Sequence, residues 1–310
     1  MNKGTSTMDK PRVGYVGLGV MGGALARRLL REHALTVFDL SPERRAEFAA
    51  LGATVVDSPA AVGAASDVVL TCLPTSAQVR DVIFGDNHGL IRGLKAGAMI
   101  VDQTSGATAA TRAMAAELAG SGIELIDAPV SGGPRGAEAG TIAIMAGGTD
   151  EQYARAAPLL TVISPNVTHV GPLGAGHTLK ALNNMMSAAN RLLAFEAVSI
   201  AAANGLDPAV VVDVINKSSG RNNATMTVFP NNIFTDDFAM RFTMALMEKD
   251  VALAAELAGD GFAHLTLTPL ILRNYRMGIE RFGASGDIHE MLRFYEEAAG
   301  VKIAKVPARD

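Results

Sequence analysis

Short apolar runs occupy residues 12–16, 35–38, 54–56, 68–72, 99–101, 124–127, 141–145 and 167–170. Between the early ones lie stretches of helical periodicity, such as 22–31 and 76–84. Several runs are continuous Val, Ile and Leu without polar alternation, the pattern of strands buried on both faces. Strand–helix alternation of this kind predicts an α/β domain built on a parallel, doubly wound sheet. After Gly176 the pattern changes. Residues 177–204 are rich in Ala, Leu and Met, contain no proline, and stop at Gly205, where a helix end favours a left-handed residue. At 1.5 Å per residue this helix would run about 40 Å, long enough to leave one domain and form the spine of another. Helical stretches follow at 208–217, 243–259, 269–282 and 289–299, with no strand pattern among them. The expected organisation is a flexible tail over 1–11, an α/β domain over 12–174 and an all-helical domain over 175–310, joined by the long helix.

The first strand leads into Gly17-Leu18-Gly19-Val20-Met21-Gly22, which opens the first helix, and an acidic residue, Asp39, ends the second strand. A lone GxGxxG is weak, but in this strand–turn–helix setting the three glycines have separate tasks. They give a tight turn, close approach of the backbone to a pyrophosphate, and close helix–strand packing. The helix N-terminus would receive the pyrophosphate on its N–H groups. This predicts a Rossmann-type, nicotinamide-dinucleotide-binding domain. Asp39 lies 22 positions after Gly17, and a carboxylate there accepts from the ribose hydroxyls of NAD and repels a 2′-phosphate. NAD is favoured, and NADP remains possible because Arg44 and Arg45 follow closely. Leu73-Pro74, Gln78 and Ser105 follow strand ends, where ligands sit in such sheets. From position alone, each is a cofactor contact or a plain loop residue.

Composition narrows the picture further. The net charge of −4 gives no reason to expect nucleic-acid binding. One cysteine, Cys72, rules out an internal disulfide and fits a reducing, cytoplasmic setting. No apolar run is long enough for a membrane span. The first residues, MNKGTSTMDKPR, lack the apolar stretch of a signal peptide. No metal is expected.

Two further segments carry chemistry. In Asp127-Ala128-Pro129-Val130-Ser131-Gly132-Gly133 a hydroxyl and consecutive glycine N–H groups form a concave donor cluster suited to a carboxylate, or a glycine-rich surface turn. In GAGHTLKALNN, Lys180 and Asn184 are four apart and share a helix face, and such groups on an apolar helix are costly if buried without partners. With GLGVMG, the trailing GAEAGT, and Phe242 through Lys249-Asp250, these segments resemble the β-hydroxyacid dehydrogenases over roughly residues 12–301. That family includes 3-hydroxyisobutyrate dehydrogenase and tartronate semialdehyde reductase. The resemblance implies a Rossmann-type N-terminal domain and a helical C-terminal domain. It implies Lys180 as the catalytic lysine, Ser131, Gly132 and Gly133 on the substrate carboxylate, Asn184 on substrate, and Lys249 near the nicotinamide end of the cofactor. It also implies a homodimer or homotetramer.

The chain departs from the family at Gln103-Thr104-Ser105 and Thr108, and at His177, where glutamine is often expected. The segment Ser218 to Asn223 lacks the tryptophan of the best-known members, which puts 3-hydroxyisobutyrate itself in doubt. Arg221 there is expected to meet a second anionic group on the substrate, or to be a solvated loop charge. The expected reaction is hydride transfer between a nicotinamide cofactor and a small 3-hydroxy acid, with Lys180 as general acid/base. As a base, Lys180 needs a lowered pKa, which burial and a cationic nicotinamide would supply. The competing readings are a semialdehyde or imine reductase on the same fold, and a non-catalytic NAD-binding protein. The apolar positions Leu182, Met185, Met186, Leu192, Leu193 and Phe195 on the long helix are expected to be exposed and to drive oligomerisation.

Overall fold

The computed structural model describes residues 10–238, 242–262 and 266–304. Residues 1–9 of the expected tail lie outside them. The chain divides into two compact units, Met1–Lys180 and Ala181–Asp310, and the division falls inside the long helix. In the first unit the strands are β1 (Val13–Val16), β2 (Leu35–Phe38), β3 (Thr54–Val55), β4 (Val68–Thr71), β5 (Met99–Asp102), β6 (Glu124–Asp127), β7 (Val130–Ser131), β8 (Ala143–Gly147) and β9 (Val167–Gly171). The intervening helices are α1 (Val20–Leu29), α2 (Pro42–Ala50), α3 (Pro59–Ala65), α4 (Ser76–Phe84), α5 (Thr108–Ala119), α6 (Gly133–Ala139) and α7 (Asp150–Ile163). The long helix α8 (Ala175–Ala203) carries the chain into the second unit.

The strands join in the order β3-β2-β1-β4-β5-β6-β8-β7, with β9 beside β8. From β3 to β6 every pairing is parallel. The order reverses between β1 and β4, the switch point at which ligands bind in such sheets. Strand burial follows the sequence pattern, since all four residues of β1, β4 and β5 are buried. The far edge differs from the expected wholly parallel sheet. There β8 runs antiparallel to β6 and to the two-residue β7, and starts at Ala143, two residues later than the apolar pattern indicates. Gly140 takes the left-handed conformation (φ 72°) that ends α6, so Thr141 and Ile142 belong to the connection.

The second unit is helical: α9 (Pro208–Asn216), a π-helical segment (Ala224–Ile233), α10 (Met244–Ala258), α11 (Leu267–Phe282) and α12 (Leu292–Ala299). Its core gathers Phe195 and Val198 of α8, Phe229, Met244, Met247, Val251, Tyr275, Met291 and Leu292. Met244, Met247 and Met291 are buried in this core. A methyl at Gly278 would lie 2.6 Å from the sulfur of Met291, so a side chain there requires Met291 to shift. Met185, Leu192 and Phe195, expected to be exposed, turn inward: Leu192 and Phe195 are buried and Met185 packs against the core. The exposed apolar positions of α8 are Leu179, Leu182, Met186, Leu193 and Ile200. No helix among the described residues is long and apolar enough to cross a membrane.

Inside the second unit, Arg191, Tyr275 and His289 are fully or almost fully buried. Burial, and then the Arg191 charge, push the His289 imidazole down to about 3. Asp287 Oδ1 lies 3.5 Å from its Nδ1. A histidine whose folded pKa lies below its unfolded value of 6.5 stays neutral in the folded state, and the unfolded state then binds the extra proton. Stability is therefore full above pH 6.5 and falls as pH drops toward 3. At pH 5 the loss from this group is about 2 kcal/mol. Thermal unfolding from pH 7 to pH 5 should show a steeper fall in Tm for the wild type than for His289→Gln. Parallel curves would remove His289 as the cause.

Candidate active site

The turn after β1 is built by the absence of side chains. Gly17 has φ +95°, and a methyl there would lie 2.3 Å from the carbonyl oxygen of Cys72. A methyl at Gly22 would meet the Gly17 carbonyl oxygen at 2.0 Å, so α1 can begin only this close if residue 22 is glycine. Beside Gly19 the space is open, and no side chain caps the N-terminus of α1. First-turn N–H groups have no partner within a helix. Gly17 and Gly22 are thus sterically required, and the open side of Gly19 with the uncapped α1 suits a pyrophosphate.

Asp39 takes up two main-chain donors at the end of β2. Its Oδ2 accepts from Leu18 N at 2.6 Å and its Oδ1 from Ser41 N at 2.8 Å. The carboxylate is therefore fixed against the glycine turn. The two arginines that follow are engaged elsewhere: Arg44 with Glu47 at 2.9 Å, and Arg45 with Asp57 at 3.7 Å and over the ring of Phe38. Leu73 donates its N–H to Thr104 Oγ1 at 3.1 Å, while Pro74 is exposed. Gln78 sits at the start of α4, where its side-chain oxygen accepts from Thr75 Oγ1 at 3.1 Å, so a local capping role is visible for it. Ser105 is half-buried in the loop between β5 and α5.

Beside this edge the foot of α8 is pinned by groups that the sequence reading passed over. Asp127, at the end of β6, is fully buried. Its Oδ1 accepts from Gly174 N and its Oδ2 from His177 N, both at 2.7 Å. The buried His177 ring shares a hydrogen bond of 2.8 Å with Thr111 Oγ1, and its Nε2 lies 3.9 Å from Asp102. Thr178 bonds Thr108 at 2.9 Å, and Arg112 donates to Leu173 O at 3.1 Å. Lys180, one turn further up α8, is buried. On the Asp127 segment, Ser131 lies in β7, and Gly132 (φ +141°) and Gly133 (φ +67°) turn the chain into α6 through conformations that favour glycine. The fit of His and Thr at 177 and 111 explains how His177 can stand where glutamine is expected.

Within the second unit, Asn184 is buried and donates from Nδ2 to Asp250 Oδ2 at 2.5 Å. Its Oδ1 accepts from Asn183 at 3.1 Å. Lys249 Nζ lies 3.0 Å from the other Asp250 oxygen. Asp250 thus orients both residues expected to face ligands, a role that no spacing rule announces. Arg221 lies in the exposed loop after α9, and the adjacent Asn222 caps the π-helical segment by accepting from Ala224 and Thr225 N.

Residues 12–171 match the NAD binding domain of 6-phosphogluconate dehydrogenase, and residues 174–295 the NAD-binding region of NADP-dependent 3-hydroxyisobutyrate dehydrogenase. The 2-(hydroxymethyl)glutarate dehydrogenase of Eubacterium barkeri is 36% identical over 94% of this chain and 97% of its own length. Human mitochondrial 3-hydroxyisobutyrate dehydrogenase is 32% identical over 94% of this chain and 89% of its own length. The solved 3-hydroxyisobutyrate dehydrogenase of Mycobacterium tuberculosis superposes with a TM-score of 0.83 at 28% identity, covering 92% of this chain and 98% of that one. The chain belongs to the β-hydroxyacid dehydrogenase family.

As a β-hydroxyacid dehydrogenase it is an NAD(P)-dependent oxidoreductase acting on a CH–OH group. Cys72 lies under the glycine turn, and burial, with the Asp102 charge, pushes its pKa up to about 12 and keeps it protonated.

Proposed function

We propose that this dehydrogenase interconverts a small 3-hydroxy acid and its semialdehyde, with Lys180 as the proton-transferring residue. The observation that carries this reading is a buried lysine one turn above a helix foot pinned to the carboxyl edge of the parallel strands. That edge also holds the uncapped start of α1. Ser131 and the amides around Gly132 and Gly133 hold the substrate carboxylate, which fixes the carbinol carbon and makes the reaction effectively intramolecular. Lys180 takes the hydroxyl proton in oxidation and returns it in reduction; a nicotinamide held at the α1 turn would supply the hydride chemistry. Asn184, oriented by Asp250, keeps one N–H for the substrate, and Lys249 serves the nicotinamide end. Leu73, Pro74, Gln78 and Ser105 complete the cofactor's surroundings.

Four finer readings accompany this one. NAD is preferred over NADP, because Asp39 is fixed at the glycine turn and Arg44 and Arg45 are occupied by Glu47 and Asp57. The substrate carries a second polar or acidic group that Arg221 meets. A named relative acts on a hydroxymethyl derivative of glutarate, which is itself a diacid. The protein is a homo-oligomer, at least a dimer, through the stripe Leu179, Leu182, Met186, Leu193 and Ile200, which lies at helical spacing and is exposed. Its setting is the reducing cytoplasm, which a single free thiol suits.

Lys180→Ala is expected to lower turnover by about 10² to 10⁴ while NAD binding stays near normal. Lys180→Arg should be nearly as damaging, because arginine does not release its proton. Near-wild-type turnover in either variant would end the proposed role. Asp39→Ala should narrow the NAD-over-NADP ratio of kcat/KM by about tenfold. That is a third of the roughly 4 kcal/mol between two charges about 4 Å apart at an effective dielectric near 20. An unchanged ratio means that Asp39 does not face the adenosine ribose. For Arg221→Ala, paired monoacid and diacid 3-hydroxy substrates are compared. Exposure limits the effect to about fivefold in kcat/KM, confined to the diacid, and equal losses on both remove Arg221 from the site. Light scattering at micromolar concentration should give at least twice the chain mass, and a monomer contradicts the oligomer.

A further inference from the structure

We infer that Asp127 is a positioning residue for Lys180, a proposal that rests on the reading of Lys180 as the proton-transferring group. The first N–H groups of an α-helix have no intrahelical partners, and a helix of 29 residues presents the positive end of its dipole at its foot. Asp127 answers both needs. Its two oxygens take Gly174 N and His177 N at 2.7 Å each, one before and one inside the first turn of α8. Among the described residues no lysine or arginine pairs with it, so this buried anion is held by main-chain donors and the helix dipole.

The surroundings leave the carboxylate no freedom. A methyl at Gly147, the last residue of β8, would lie 2.5 Å from Asp127 Oδ1 and 3.0 Å from Gly176 N. A methyl at Gly176 would lie 2.9 Å from Asp127 Oδ2 and 2.2 Å from the Met145 carbonyl oxygen. The carboxylate seated between β6, β8 and α8 thus explains Gly147, and it adds to the Met145 carbonyl oxygen in excluding a side chain at Gly176. Lys180 is three residues from His177 on the same helix, so the carboxylate that fixes the His177 amide fixes the height and rotation at which Lys180 leaves the helix. Ser131 is four residues from Asp127 in the same segment, so a single side chain references both the carboxylate clamp and the proton-transferring lysine.

Asparagine is nearly the same size, but it offers one acceptor where two donors converge, so one amide of the helix foot loses its partner. Asp127→Asn, Lys180→Ala and the double variant are to be compared in the full-length enzyme. Kinetics would be measured with a 3-hydroxy acid bearing hydrogen or deuterium at the carbinol carbon, and NAD affinity by fluorescence titration. Asp127→Asn should lower kcat by about 10- to 100-fold, the scale of a displacement near 1 Å. It should also raise the deuterium isotope effect on kcat and leave NAD affinity unchanged. Added to Lys180→Ala it should cost nothing further. A loss of equal size in the Lys180→Ala background, or a soluble Asp127→Asn enzyme with unchanged kcat and isotope effect, overturns the proposal. If Asp127→Asn does not fold, Gly147→Ala crowds the same carboxylate without removing its charge, and the same Lys180-dependent loss is expected. Amide exchange on the wild type needs no variant: Gly174 and His177 N–H should be protected, and fast exchange at both overturns the anchor. If Lys180→Ala alone is harmless, the functional reading fails, while the exchange result still decides whether the anchor exists.

Discussion

Main-chain N–H groups at helix starts must find an acceptor, and in the first unit this one requirement organises the carboxyl edge of the sheet. Of the helices that begin there, α1 and α8 solve it differently. At α1 no side chain caps the turn and the space beside Gly19 is open, which leaves its donors for a phosphate group. At α8 the buried carboxylate of Asp127 takes the donors directly. One helix start is thereby kept for the cofactor and the other is fixed rigidly to the strands. Dehydrogenation needs this combination, because hydride and proton must leave neighbouring atoms of one substrate, and misplacement of the proton acceptor costs rate steeply.

The second unit shows the same economy with polar groups. Asp250 is almost fully buried between Asn184 and Lys249, so a carboxylate that would be costly alone is paired on both oxygens and orients two side chains. Arg191, Tyr275 and His289 gather in the core, where the imidazole stays neutral because a charged form would face the arginine in an apolar setting. They share a helical core with Met244, Met247 and Met291, side chains that pack adaptably, and with Phe195, Phe229 and Val251.

How much of this was legible in the sequence depends on the range of the interaction. The parallel strands and the glycine turn were readable because their causes are local: continuous apolar runs, and three glycines between a strand and a helix. Strand β7 was not, since two residues carry no periodicity and Val130–Ser131 pairs only because β8 returns antiparallel beside it. Met185, Leu192 and Phe195 were misplaced for a related reason. A helix apolar on more than one side does not reveal which side its own domain covers, and here it covers the face bearing Leu192 and Phe195. Asp127 stood in view inside a motif but its task did not, because its partners lie 47 and 50 positions away. Asp250 is the same case, with Asn184 66 positions distant. Gln78 adds a local contact that its position did not announce, its side-chain oxygen accepting from Thr75 Oγ1 at the start of its own helix.

The central claim is that proton and hydride leave a 3-hydroxy acid together at this edge, with the proton passing to a protein group. Single-turnover stopped-flow of the NAD-saturated enzyme, with substrate deuterated at the carbinol carbon and pH varied, tests it most directly. The account predicts that deuterium appears on the reduced nicotinamide, with a normal isotope effect. The transfer rate should climb with pH through one ionisation to a plateau. Deuterium lost to solvent, or a transfer rate indifferent to pH, would contradict it.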